Sequence, residues 1–164
     1  MANILCFFRN RITSVEKIDE QTMRSCCHLQ DSLMEAFVEI LVKIPELEIT
    51  GAGGEIRRSV GTTKIDVVEA MRNIVGIRIG AGLRKIIKGV MGKSAIHKQL
   101  AFMVEECCSG VILTFTKEVM LDVPKEKSKE REHFENRVRL NPRLYNSCAA
   151  LAPGSPLVEG IERP

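Results

Sequence analysis

The stretch from Gly76 to Lys98, GIRIGAGLRKIIKGVMGKSAIHK, constrains the fold more than any other part of the chain. Leu83, Ile86, Ile87, Val90 and Met91 recur at i, i+3, i+4, i+7 and i+8, the spacing that lines one side of a helix. Arg84, Lys85 and Lys88 fall away from that line. The same stretch holds six cations, Arg78, Arg84, Lys85, Lys88, Lys93 and Lys98, and no acid. Gly76, Gly80, Gly82 and Gly89 each weaken a helix by roughly 0.5–1 kcal/mol where they fall inside it. The pattern therefore predicts a basic amphipathic helix interrupted by glycines. Its polar side either meets something negative or is simply wet.

Charge elsewhere sharpens that contrast. The net charge of +3 conceals −3 over residues 1–50, +7 over 51–98, −3 over 99–123 and +2 over 124–164. A basic middle between acidic flanks suits an anionic partner, self-association of opposite patches, or internal pairing.

The 164 residues suffice for one domain, and an apolar fraction of 45% supplies a core. Aromatics are only 4%, with no Trp and a single Tyr, so the core must be built from Leu, Ile, Val, Met and Cys. That composition suits helices packed on helices. The expected fold is mainly α, a small helical bundle with a short β-hairpin near 47–60. The alternative is α+β with a strand at 111–116. The expected organisation is a globular helical domain over 1–123, a charged linker or helix over 124–140, and a Pro-rich flexible tail over 141–164.

Taken in order, Met1 to Arg11 is an apolar patch that docks on the core or touches a membrane, with Cys6 as a candidate palmitate acceptor. Asp19 to Ile44 reads as a helix, with Met23, Cys26 or Cys27, Leu33, Met34, Phe37, Leu41 and Ile44 as its stripe and Pro45 as its stop. Leu47 to Gly61 reads as two short extended runs about the GAGG turn. Thr63 is expected to cap the next helix, paired with Asp66 in a capping box, with Ile65, Val68, Met71, Ile74 and Val75 inward. Ile77-Arg78-Ile79 alternates like a short strand. Ser94 is expected to cap a helix reaching about Leu121, although Val111 to Thr116 is rich in strand formers.

Candidate sites are few. GAGG at 51–54 satisfies neither GxxxxGK[ST] nor GxGxxG, so no nucleotide cofactor is expected. Cys26-Cys27 and Cys107-Cys108 could supply four thiolates, but neighbours on a helix diverge by about 100°, so no metal site is inferred. His28, His97 and His133 belong to no catalytic motif. Glu105-Glu106 read as a solvated face. No catalytic residue is assigned, and a non-enzyme is expected. No stretch of about 18 charge-free apolar residues is present, and the first residues do not resemble a secretory signal. These features point to the cytoplasm or nucleus, with reduced cysteines.

What remains is the basic set Arg57, Arg58, Arg78, Arg84, Lys85, Lys88, Lys93 and Lys98. It is the candidate surface for phosphate, carried by nucleic acid (RNA above all) or by an acidic membrane. The first functional expectation is an accessory or matrix-like protein that binds such partners, as a homo-oligomer. The second is a protein–protein adaptor using an apolar groove and the Pro-rich tail. The third is an enzyme whose site is assembled only on folding. No small-molecule substrate is inferred.

Overall fold

A computed structural model describes residues 4–60, 66–140, 142–146 and 149–161. Its fold is α+β, not a helical bundle. Residues 9–59 form a four-stranded antiparallel meander, β1 (Arg9–Asp19), β2 (Thr22–Asp31), β3 (Met34–Lys43) and β4 (Glu48–Ser59), paired in sequence order. Helices follow: α1 (Val67–Arg72), α2 (Leu83–Val90), α3 (Ala95–Leu121) and α4 (Lys127–Leu140).

The helix expected over Asp19–Ile44 is thus a hairpin, and its side chains show why. In β2, Met23, Ser25, Cys27, Leu29 and Asp31 are buried while their neighbours are not. In β3, Met34, Ala36, Val38, Ile40 and Val42 are buried. This is the period of two that a sheet with one covered face imposes. It was masked twice. Ser25 and Asp31 put polar residues on the inner row, and Phe37 and Leu41 put apolar residues on the outer one. Met34, Phe37, Leu41 and Ile44 then mimic helical spacing. Glu39 lies near Arg24 on β2, 3.9 Å away, instead of reaching Lys43 along a helix.

The hairpin expected at 47–60 is also absent. GAGG lies inside one continuous strand, β4, opposite β3: Gly51 faces Leu41, Gly53 faces Glu39 and Gly54 faces Val38. A Cβ on Gly54 would stand 2.9 Å from the Phe37 carbonyl oxygen and 3.4 Å from Val67 of α1. Bare backbone there permits close packing instead of a turn. The register slips between Leu41 and Val42 and again between Glu35 and Ala36, bulges that bend the strand.

Residues 111–116, offered as a strand in the α+β alternative, are helical within α3. That helix lies on the covered face of the sheet. Ser25 Oγ donates to the Cys107 carbonyl at 2.9 Å, and Gly110 meets Val15 and Thr13 of β1. Leu100, Met103, Val104, Cys107 and Val111 are buried, so packing fixes α3 up to Val111, and the helix propagates on through the strand formers after it, of which Ile112 and Leu113 are exposed. Among the described residues, α3 alone has the length and apolar content of a membrane-crossing helix.

Asp31 ties the sheet together at one end. Its Oδ2 accepts from Arg9 of β1 at 2.9 and 2.6 Å. Its Oδ1 accepts from the amides of Leu33 and Met34 at 2.8 and 2.6 Å, fixing the β2–β3 turn. Arg58 of β4 donates to the carbonyls of Asp31 and Ser32. Burial alone would raise the Asp31 carboxyl, but Arg9 and the two amides outweigh it, and the group sits below its ordinary value.

The chain forms two compact units, residues 1–114 and 115–164. The second holds the end of α3, α4 and two 3-10 turns at Pro142–Leu144 and Ala149–Leu151. There, Arg131 pairs with Glu135 at 2.7 Å along α4, Arg137 pairs with Asp122, and Val138 and Val158 are buried.

Candidate functional site

The stretch from Gly76 to Lys98 is held against the sheet at its first end. Gly76 donates to the Ile49 carbonyl at 2.7 Å, Ile49 to that of Ile77 at 2.9 Å, and Ile79 to that of Leu47 at 2.8 Å. Glu48 and Arg78 complete a single bridge, which is the short strand that the Ile77-Arg78-Ile79 alternation predicts. The free edge of β4 is covered there, and the chain is aimed at α2.

Ahead of α2, the cap expected at Thr63 and the inward Ile65 lie outside the described residues. Asp66, expected as the acidic partner in that box, is itself the cap of α1. Its Oδ1 accepts from the Glu69 amide at 3.0 Å. Met71 and Ile74 are buried as expected, whereas Val68 and Val75 are exposed.

The basic helix is real but short. Gly82, with φ of 78°, opens α2 without a capping side chain, and Gly92, with φ of 97°, follows its end. Both are left-handed positions that glycine adopts freely. Ser94 caps α3 as expected, its Oγ accepting from the His97 amide at 3.2 Å. Of the predicted apolar line on α2, Ile87 and Met91 are buried, but Ile86 is 46% and Val90 37% exposed.

The eight candidate cations divide by side chain. All four arginines have partners within the protein. Arg57 pairs with Glu55 at 2.6 Å and with Glu35 at 3.7 Å on the uncovered face of the sheet. Arg58 donates to Ser32 and Asp31 carbonyls, Arg78 lies 3.6 Å from Glu48, and Arg84 lies 2.8 Å from Glu105. The four lysines differ. Lys85, Lys88, Lys93 and Lys98 are exposed, and no described carboxylate pairs with any of them. α2, the turn after it and the start of α3 therefore carry four positive charges with no described carboxylate partner.

Beside α2 lies a half-open cleft of about 290 Å³, lined by Gly80, Gly82, Leu83, Arg84, Glu105, Glu106 and Ser109. Glu105, expected on a solvated face, is buried, with 7% of its surface exposed. Its Oε2 takes the Arg84 Nε, while Oε1 is buried with no hydrogen-bond partner among the described residues. The signal for this was present: Ala101, Glu105 and Cys108 share one side of α3, and both neighbours are small and apolar. Glu106 does reach the surface, 3.6 Å from Arg11.

Of the described cysteines only Cys27 and Cys107 make a mutual contact. Cys26 and Cys27 lie on a strand, not a helix, so they point to opposite faces of the sheet. Cys27 is buried against α3, and Cys26 Sγ lies 3.6 Å from Glu39 on the other face. Cys107 and Cys108 are both buried. A hydrogen bond with Cys107 lowers the Cys27 thiol and raises that of Cys107. Burial, aided by the charge on Glu105, pushes the Cys108 thiol up to about 12. Among the described residues, no three potential metal ligands come together.

Against known protein families, curated protein sequences and solved structures alike, the chain has no match.

Proposed function

We propose that the protein binds an anionic lipid surface through α2, the turn after it and the start of α3. The observation that carries this reading is the set of four unpartnered lysines, Lys85 and Lys88 on α2, Lys93 in the turn after it and Lys98 at the start of α3, near apolar residues left uncovered on α2. At about 100° per residue, Ile86, Gly89 and Val90 occupy one flank of α2, with Lys85 next to them. Ile87 and Met91 turn inward. A helix so placed can sink Ile86 and Val90 among acyl chains while its lysines stay at the level of the phosphates. Each such lysine contributes about 1 kcal/mol near an anionic leaflet, so four supply about 4 kcal/mol. The exposed apolar pair favours lipid over RNA, whose phosphates have no use for it. Scarce aromatics offer little for stacking on bases.

The test is binding of the full chain to phosphatidylserine vesicles, to neutral phosphatidylcholine vesicles and to mixed-sequence RNA across a salt series. The reading expects binding to the anionic vesicles alone, weakening steeply with salt. Equal or stronger binding to RNA would move the function to nucleic acid. Binding to neither at low salt would leave the lysines as a solvated face and turn attention to a protein partner.

A further inference from the structure

β1 ends the sheet, and among the described residues nothing pairs with its outer side. The other edge strand, β4, takes residues 76–79 along its start. The register says which backbone groups of β1 look outward. The Phe8 carbonyl accepts from the Ser32 amide at 3.1 Å, and Arg9 faces Asp31 beside it. In an antiparallel ladder, bonded and non-bonded pairs alternate. Asn10, Ile12, Ser14 and Glu16 therefore turn their amides and carbonyls toward β2, while Arg11, Thr13, Val15 and Lys17 turn theirs away from it. The bond from the Ile44 amide to the Gln21 carbonyl, on the far side of β2, gives the same phase. β1 is exposed along its length, with only Thr13 and Val15 half-buried beside Gly110.

A row of unpaired N–H and C=O groups is a template for another strand, and sheets blunt it with proline, a bulge or an inward charge. β1 lacks these defences over its middle. It has no proline, and its register against β2 is unbroken from Arg9 to Lys17. Arg11, on the covered face, is held back over the Phe102 ring at 4.4 Å and 3.6 Å from Glu106.

We infer that a second copy of this chain occupies the edge, the two β1 strands running antiparallel about a twofold axis through Val15. The side chains choose that centre. Centred on Arg11, Glu16 or Lys17, a charge would meet its own copy. Centred on Thr13 or Ser14, Lys17 would meet Arg9 or Arg11. Centred on Ile12, the two Arg11 side chains would be diagonal neighbours. Centred on Val15, Val15 meets Val15, Thr13 meets Lys17 and Ser14 meets Glu16. The outward groups of Thr13, Val15 and Lys17 then exchange two hydrogen bonds in each of three facing pairs. At both ends Ile12, 57% exposed, comes to Ile18 of the other copy, 52% exposed, where β1 bulges before Asp19. The strand is thus complementary to itself. This edge needs no lipid and stands apart from the lysine surface.

The test is sedimentation velocity of the full chain on dilution, with amide hydrogen exchange read by NMR. The expected result is a dimer at about 100 μM that dissociates on dilution, as a small interface should. In the dimer the amides of Thr13, Val15 and Lys17 should exchange as slowly as those of Ser14 and Glu16. Val15→Pro removes the central donor of each copy. That amide faces away from β2, and proline is accepted at such edge positions. The variant should raise the dimer Kd by about tenfold or more. Ile12→Lys/Ile18→Lys sets lysines against each other at both ends and should weaken the dimer likewise. Both isoleucines are exposed, so this variant carries the test should Val15→Pro fail to fold. The inference is overturned if the chain stays monomeric at about 100 μM, which would leave the edge to an extended segment of another protein. It is equally overturned by a dimer in which the Thr13, Val15 and Lys17 amides exchange freely, or by folded variants that dimerise like the wild type.

Discussion

Removing the Asp31 side chain should unfasten the sheet at one end. Asp31→Ala deletes acceptors for the amides of Leu33 and Met34 and for the Arg9 guanidinium. Asp31 is 1% exposed, so water does not readily replace them. Each hydrogen bond to a charged group is worth about 1.5–3 kcal/mol when a partner is lost in a buried place. The Arg9 contribution is discounted because that side chain is 47% exposed. The two amides alone then set a loss of about 3 kcal/mol. Asp31→Asn keeps an oxygen for the amides and should cost about half as much. Urea unfolding followed by circular dichroism reads both. The pH dependence supplies a second check. The folded carboxyl sits below its unfolded value of about 3.9, so its contribution is present above that pH and fades as pH falls through the folded value. The gap between wild type and Asp31→Ala should therefore narrow on acidification. A loss under about 0.5 kcal/mol at neutral pH, the range of ordinary surface substitutions, would refute the role given to this residue.

The remaining predictions concern packing, reactivity and the apolar flank of α2. Ile40→Ala, on the covered face of β3, should cost about 3 kcal/mol by urea unfolding, whereas Ile12→Ala, on the other face of β1, should cost under about 0.5. Gly54→Ala should destabilise by about 1–3 kcal/mol, because its Cβ would press on the Phe37 backbone, while Gly53→Ala should be tolerated, having nothing within 4 Å of an added Cβ. Iodoacetamide at pH 8, followed by peptide mass mapping, should modify exposed Cys6 in the native protein and spare Cys107 and Cys108 until denaturant is added, since both thiols are buried and raised. Ile86→Ser should weaken vesicle binding without changing the urea midpoint, because the side chain is already 46% exposed.

The parts of the fold governed by local rules were legible in the sequence. The Ser94 cap and the basic amphipathic α2 follow from spacing and capping chemistry within a few residues. The sheet was not, because its signal is shared between strands. Ser25 earns its inward place by bonding to the Cys107 carbonyl, and Asp31 by gathering Arg9 and two amides, partners up to 82 residues away. Read alone, each looks like a polar residue that breaks the alternation. The glycines at 51–54 mislead for a similar reason: a close neighbour, not a turn, needs the bare backbone. The candidate site divides along the same line. The lysines of α2 could be found from sequence, since exposure of a basic face is the default for an amphipathic helix. That the arginines would be engaged and Glu105 buried depends on contacts such as Arg84–Glu105, which join α2 to α3.

The measurement that bears most directly on the proposed role is sedimentation of the full chain with phosphatidylserine vesicles, comparing wild type with Lys85→Gln/Lys88→Gln/Lys93→Gln/Lys98→Gln. None of the four lysines has a described ion pair to lose, so the variant should fold and unfold like the wild type. At about 1 kcal/mol per lysine, its partition coefficient should fall by about a thousandfold at low salt. Binding within about threefold of wild type would contradict the account, because the charges that define the surface would then contribute less than about 1 kcal/mol together.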